Sequence, residues 1–124
     1  MGDRSAIVIR VAEDKAIEIY SHWNGKGIVY KLPEALEVAK DRYNDVAYFT
    51  RIVIQNVLNS IVSENSESGA GISICDWMDN YDAGHLNYEP VFVDPTDKTV
   101  TCNGNIWSFS FIIEYGSDDI ESVM

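Results

Sequence analysis

One segment of the chain gathers side chains that are able to bind a cation. It reads Asp76-Trp77-Met78-Asp79-Asn80-Tyr81-Asp82-Ala83-Gly84-His85 and holds several oxygen ligands and one imidazole. Hard cations prefer such oxygen ligands. The three aspartates, however, are three residues apart, whereas a calcium loop needs acids at alternate positions and a glutamate at the twelfth. The spacing therefore predicts no metal site and no cofactor, and a metal-dependent hydrolase that uses this Asp-rich loop is kept as a third alternative.

A second segment, Tyr20-Ser21-His22-Trp23-Asn24-Gly25, places a histidine beside a tryptophan near a strand end. Adjacent strand residues project to opposite sides, a tryptophan ring can stack on a base, and a histidine can donate to phosphate. Arg51 is the only formal charge between residues 46 and 63, so it needs a carboxylate, a phosphate or water. His22, Trp23 and Arg51 thus define an alternative function, the binding and sequestration of a small nucleotide signal. A core tryptophan and an internal ion pair of Arg51 explain the same residues without a ligand.

The known catalytic templates are missing from the sequence. It contains no Gly-x-Ser-x-Gly, no His-Glu-x-x-His and no zinc deaminase signature, and Gly25-Lys26-Gly27 lacks the spacing of a phosphate loop. No catalytic residue is assigned, and the chain is predicted not to be an enzyme.

Charge is distributed unevenly along the chain. Residues 1–51 hold eight acids and eight bases, whereas residues 52–124 hold twelve acids and the single base Lys98, which gives the net charge of −11. Such a surface repels nucleic acid and anionic membranes and attracts a basic protein surface. Solubility alone explains the same skew. The candidate partner-binding residues are the acids of the long loop, Asp76, Asp79, Asp82 and Glu89.

Hydrophobic periodicity predicts an α+β fold with the element order ββααββββ. Short turns between strands favour an antiparallel sheet, with both helices packed on one face. The second helix, over residues 46–62, should bury a broad apolar stripe. The last strand, over residues 106–115, shows the clearest alternation of apolar and polar residues. The predicted strands are residues 6–11, 16–20, 72–75, 91–93, 99–102 and 106–115, and the first helix opens at Pro33.

The length of 124 residues predicts one domain over residues 1–116, followed by an acidic, frayed tail over 117–124. No apolar run approaches the roughly 20 residues that span a bilayer, and Met1 to Ser5 are polar. The expected location is therefore the cytoplasm. Cys75 and Cys102 fall inside predicted strands and are interpreted as buried thiols, with a disulfide left open if the two strands are neighbours.

The segment Tyr20 to Gly25 resembles the Tyr-x-His-Trp-x-Gly signature of small proteins from bacterial viruses and mobile elements. The resemblance extends through 42–48, 50–53 and 69–73 and covers about residues 7 to 113. That family has no settled activity and supplies no catalytic residues. It implies an accessory viral gene product, and such products often act against host defence, as anti-CRISPR proteins do.

These observations lead to one main hypothesis. The chain is a non-enzymatic viral anti-defence inhibitor in the host cell cytoplasm that binds a host defence protein with a basic surface. Direct nucleic-acid binding and membrane binding are not expected, and homo-oligomerisation is left open.

Overall fold

The computed structural model describes residues 3–23, 25–59 and 69–124. Its centre is a six-stranded sheet with the strand order β3-β2-β1-β4-β5-β6. The β-branched segments of the sequence form these strands, as their preference for a pleated, half-buried surface predicts. The strands are β1 (Ser5–Arg10), β2 (Lys15–Ser21), β3 (Ala70–Asp76), β4 (Val91–Asp94), β5 (Thr99–Cys102) and β6 (Asn105–Ser108).

Five α-helices accompany the sheet in the described residues, so the fold is α+β as predicted. They are α1 (Gly27–Tyr30), α2 (Leu32–Val38), α3 (Val46–Asn59), α4 (Phe109–Tyr115) and α5 (Asp118–Val123), and two 3-10 turns cover Lys40–Arg42 and Met78–Asn80. The predicted order ββααββββ is wrong in two places. A short additional helix precedes α2, and two helices follow the last strand.

The sheet is mixed rather than antiparallel. β1 pairs with β4 in parallel, with Ile7 opposite Val91 and Ile9 opposite Val93, whereas the other neighbouring strands are antiparallel. Turn lengths could not predict this pairing, because β1 and β4 are about 80 residues apart and the intervening chain sets their relative direction.

The predicted last strand, residues 106–115, is a strand only as far as Ser108 and continues as helix α4. β6 ends at Ser108, whose side chain accepts a hydrogen bond of 3.1 Å from the backbone N–H of Phe111 and caps α4. Phe109 and Ile112 are buried, three residues apart on one face of that helix. The run of alternating residues therefore also satisfies a helix, and the serine cap decides between the two structures.

The C-terminal residues are ordered by packing rather than frayed. Residues 118–123 form α5, and Ile120 is fully buried in the hydrophobic core. The side chain of Asn103 donates to the carbonyl of Val123 at 3.1 Å, which ties the end of the helix to the β5–β6 turn. Ile120, with the partly buried Val123 and Met124, therefore anchors this acidic segment to the core.

The main core lies between the helices and one face of the sheet, which we call the helix face. Phe49, Val53 and Val57 of α3 are fully buried there, which confirms the predicted stripe. The ring of Phe49 stacks on that of Phe109 with centroids 5.7 Å apart. Residues 60–62 of the predicted helix, including Ile61, lie outside the described residues.

The other face of the sheet, which we call the loop face, is covered by residues 77–90. Phe92 of β4 meets the ring of Trp77 at 5.4 Å and the ring of Tyr81 at 5.8 Å, both edge-on. Ala6 and Val8 are buried on this side. The segment predicted as a long loop therefore packs against the loop face at β2 and β4.

Cys75 and Cys102 do lie in strands, but three strands separate β3 from β5, and both thiols are free. Asn103 and Gly104 form the turn between β5 and β6, and the sequence Asn-Gly favours this tight hairpin because both residues adopt positive φ, 50° and 81°.

Candidate functional site

The loop face carries a pocket of about 280 Å³ with a carboxylate at its base. Because Glu18 alternates with Ile17 and Ile19 along β2, its side chain projects from the loop face and not into the helix core. Residue Glu18 is only 8% exposed. The pocket is lined by Glu18, Cys75, Asp76, Asn80, Tyr81, Asp82 and His85.

Two hydroxyl groups hold the Glu18 carboxylate. The Tyr81 hydroxyl donates to Oε2 at 2.5 Å, and the Ser73 hydroxyl donates to Oε1 at 2.7 Å. A carboxylate offers about four acceptor positions, so Glu18 retains capacity for further N–H donors. A buried charge that is satisfied by neutral donors and still has free acceptor positions is suited to a cationic group.

His85 stands at the opening of the pocket. Its Nε2 lies 3.7 Å from Oε2 of Glu18, and its side chain is 45% exposed. Its ring lies beside Tyr81 at a centroid distance of 6.2 Å. His85 therefore lies close enough to Glu18 to occupy the same side of the carboxylate as an entering cation.

Burial sets the chemistry of the other titratable groups in the pocket. The pKa of Cys75 is raised to about 11, chiefly by burial and next by the charge of Glu18. Burial and the hydrogen bond to Glu18 likewise raise the pKa of Tyr81. Both groups therefore stay protonated at neutral pH, and Cys75 is a poor nucleophile because only the thiolate attacks.

The rim of the pocket holds two of the four acids predicted to bind a partner. Asp76 is paired with Lys15 at 2.6 Å, so part of its charge is compensated. Asp82 accepts a hydrogen bond of 2.9 Å from the backbone N–H of Gly84, which fixes the turn that leads to His85. Asp79 and Glu89 are exposed but do not line the pocket.

Sequence reasoning missed the central residue of this site. The alternation of residues 16–20 places Glu18 on the sheet face opposite that of Ile17 and Ile19 but does not indicate that it is buried. The signal that could have found it is the tyrosine-rich loop that follows β3, since a loop that covers the second sheet face buries whatever polar group that face carries. That coverage depends on tertiary structure and has no local pattern.

The residues of the alternative nucleotide site, His22, Trp23 and Arg51, lie in two separate places. His22 and Trp23 lie just beyond β2, where the rings are 6.2 Å apart and the Trp23 ring lies against Gly69. Arg51 lies on α3, and its Nη1 donates to Oε1 of Gln55 at 2.7 Å. No hydrogen bond or ring contact joins Arg51 to His22 or Trp23 within the described residues. A shared nucleotide site stays a prediction.

Arg51 instead lines an open, apolar groove of about 730 Å³ between α3 and the end of the sheet. Thr50 lies in the same groove, and its buried hydroxyl has no hydrogen-bond partner. The apolar side chains along the groove come from the β1–β2 turn, β2, α3 and β3; they include Val11, Ile17, Ile54 and Ile72.

Two further observations concern metal ions and membranes. No three or more His, Cys, Asp or Glu residues of the described ranges are grouped so as to hold a metal ion. Across the same ranges, no helix has the length and apolarity to cross a membrane.

Comparison with protein-family models, with curated proteins and with solved structures finds no match to this chain.

Proposed function

We propose that this chain is a non-enzymatic binding protein whose acidic pocket receives a lysine or arginine side chain from a basic partner. The observation that carries this proposal is the carboxylate of Glu18, which is nearly buried at the base of a pocket whose rim holds Asp82 and Asp76. A cation that enters would lie beside the carboxylates of Glu18 and Asp82, where a charge-assisted hydrogen bond is strongest. In line with the resemblance to small viral proteins, the proposed partner is a host defence protein.

The charge of the surrounding surface supports the same reading. Residues 69–124 contain ten acids and one base. Only Asp76 and Asp94 of these acids form salt bridges to basic side chains within the described residues, through Lys15 and Arg10. The uncompensated acids would speed the encounter with a basic surface, while the pocket would determine how long the partner stays.

The test compares two Glu→Gln variants, each of which removes one negative charge. Glu18→Gln keeps the shape of the side chain and removes its charge from the pocket. Glu114→Gln removes one exposed charge from α4, on the helix face, and serves as the matched control. A pull-down from host lysate supplies the candidate partner, which is then purified and titrated against both variants.

We expect Glu18→Gln to weaken binding about 30-fold or more, because removing one member of a buried charge pair costs about 2–5 kcal/mol. Glu114→Gln should change affinity less than about threefold, because an exposed charge contributes little. If the two variants bind equally well, the pocket is not the contact site.

A second candidate function, nucleotide binding, is favoured by one observation. Within the described residues, the guanidinium of Arg51 is bonded to a neutral amide and to no carboxylate, although the protein has twenty acids. Calorimetry with cyclic and linear nucleotides, on the parent and on the triple variant His22→Ala, Trp23→Ala, Arg51→Ala, decides it. Heat of binding that the triple variant abolishes would establish this function.

A further inference from the structure

β3 forms one end of the sheet, and no described strand pairs with its outer edge. Within the described residues, β2 is the only strand that pairs with it. The backbone bonds His22 N–H to Gly69 carbonyl (2.9 Å) and Trp77 N–H to Asp14 carbonyl (3.1 Å) extend this ladder at both ends. Bonded pairs alternate in antiparallel strands, so the odd-numbered residues of β3 bond to β2. The even-numbered residues, from Ala70 to Asp76, direct their N–H and C=O groups outward.

The same residues expose apolar side chains. Ile72 is 49% exposed and Ile74 is 78% exposed. They lie opposite Ile19 and Ile17 of β2 and therefore on the helix face of the sheet. Ile72 and Ile74 are thus neighbours on one face of an edge strand and form an exposed apolar patch in a chain with 23% charged residues. Such patches commonly mark interaction sites.

β3 also lacks the devices that normally protect a sheet edge. Edge strands are usually short, or carry a lysine, a proline or a bulge. β3 has seven residues in continuous register with β2 and contains neither proline nor lysine. The opposite edge, β6, has only four residues and runs directly into α4.

Charge does not oppose contact at this edge, although the whole chain carries −11. The one acid of β3, Asp76, is paired with Lys15 at 2.6 Å. The nearby groove is lined by the cation Arg51 and otherwise by uncharged residues. On the helix face, the described part of this edge is thus close to neutral, while Glu18 and Asp82 lie at the pocket on the loop face.

We propose that β3 pairs antiparallel with β3 of a second copy of this chain, about a two-fold axis through Ser73. This register places Ile72 of one copy opposite Ile74 of the other and Ala70 opposite Asp76. All four outward-facing residues of each strand then take part in bonded pairs, and the two sheets join into one of twelve strands. The contact is isologous, as in most homodimers.

A second copy fits this edge better than an arbitrary extended peptide, because the strand is self-complementary. One two-fold operation covers both isoleucines of both copies at once. It also brings Ile74 of the second copy towards the mouth of the apolar groove, which Ile72 lines. The acidic pocket opens on the loop face, whereas the paired isoleucines lie on the helix face.

Salt should change the affinity of this dimer interface and the affinity for a basic partner in opposite directions. Two chains of charge −11 repel each other at long range, and added salt screens that repulsion. Dimerisation should therefore strengthen as salt rises, whereas binding to a basic partner should weaken.

The first test measures mass by sedimentation equilibrium at low and high salt. The full chain should approach twice 13.9 kDa, with tighter association at high salt. Ile74→Lys should raise the dimer dissociation constant at least about 100-fold, because two symmetry-related isoleucines become cations at once. The control, Ile106→Lys, changes an isoleucine of similar exposure (68%) on the β6 edge and should leave the dimer intact.

The second test fixes the register. Ser73 faces its own copy across the axis in a non-bonded pair, where Cα atoms are about 4.5 Å apart, within reach of a disulfide. Ser73→Cys in a Cys75→Ser background should therefore form a covalent dimer on mild oxidation. A chain that stays monomeric at all salt concentrations, an Ile74→Lys variant that still dimerises, or a Ser73→Cys variant that does not cross-link would each overturn the proposal.

Discussion

Tyr81 and Glu18 are 63 residues apart in the chain, yet the tyrosine hydroxyl donates to the glutamate Oε2 at 2.5 Å. This bond links the segment that covers the loop face to the second strand of the sheet. The Tyr81 ring is also held edge-on against Phe92. The bond therefore fixes the shape of the pocket and keeps the buried charge satisfied.

Removing this hydroxyl should destabilise the fold. Tyr81→Phe leaves one oxygen of a nearly buried carboxylate without its strongest donor, which should lower the free energy of unfolding by about 1–3 kcal/mol. Urea denaturation measures the loss. Tyr115→Phe, at a tyrosine that is 63% exposed, should cost less than about 0.5 kcal/mol; equal losses in the two variants would show that the bond contributes nothing to stability.

Alkaline pH should destabilise the protein through groups that are held protonated. The folded state raises the pKa of Cys75 from 9.0 to about 11 and that of Cys102 to about 12, mainly by burial, and raises the pKa of Tyr81 above 10.0. Above pH 9 the unfolded chain therefore binds fewer protons than the folded chain, so stability falls as pH rises. Thermal unfolding between pH 8 and 11 should show this decline.

A cysteine variant isolates the contribution of Cys75 to this loss of stability at alkaline pH. Cys75→Ala should flatten the dependence on pH above 9, because it removes a group that titrates only after unfolding. A Tm of the parent that stays constant up to pH 11 would contradict the assignment.

The sequence predicted those elements whose pattern is local. β1 and β2 alternate or carry β-branched residues, α3 has its stripe at Phe49, Val53 and Val57, and Asn103-Gly104 has the chemistry of a tight turn. Each of these signals acts within a few residues of itself, so no distant contact is needed to interpret it.

The remaining features depend on contacts between distant residues. The parallel pairing of β1 with β4 and the burial of Glu18 both arise because segments that are far apart in sequence come together. The helix from Phe109 is a different case, since its alternating aromatic residues satisfy two periodicities and Ser108 selects one. The acidic loop was identified, but its division into Asp82 at the pocket and Glu89 outside it could not be predicted.

A charge introduced on the buried face of α3 should strongly destabilise the fold. Val57 is fully buried, so Val57→Asp places an unpaired carboxylate in the core and should cost about 3–5 kcal/mol. Val38→Asp, at a valine that is 55% exposed on α2, should change the melting temperature little. An unchanged melting temperature in the Val57 variant would mean that α3 does not pack on the sheet through this residue.

Chelators should leave stability unchanged. Two of the three aspartates of the 76–85 segment already have partners, since Asp76 pairs with Lys15 and Asp82 accepts a hydrogen bond from the Gly84 N–H. Treatment with EDTA should therefore not shift the Tm. A drop that calcium or magnesium restores would reveal a bound cation and would support the metal-dependent hydrolase instead.

Neutralising the acidic loop should separate binding from folding. The triple variant Asp76→Asn, Asp79→Asn, Asp82→Asn removes three exposed charges, and the loss of the exposed Lys15–Asp76 pair should lower stability by less than about 1 kcal/mol. Association with the basic partner should slow, most visibly at low salt, because complementary charge mainly speeds the encounter. Stopped-flow kinetics at two ionic strengths measure this directly.

The single variants show which carboxylate matters. Asp82→Asn should account for most of the slower association and for any faster dissociation, because Asp82 lines the pocket and forms no salt bridge within the described residues. Asp79→Asn should affect only the encounter rate, since Asp79 is exposed outside the pocket. If all three single variants slow association equally and leave dissociation unchanged, the partner senses the general charge of the surface, and the pocket at Glu18 is not its anchor.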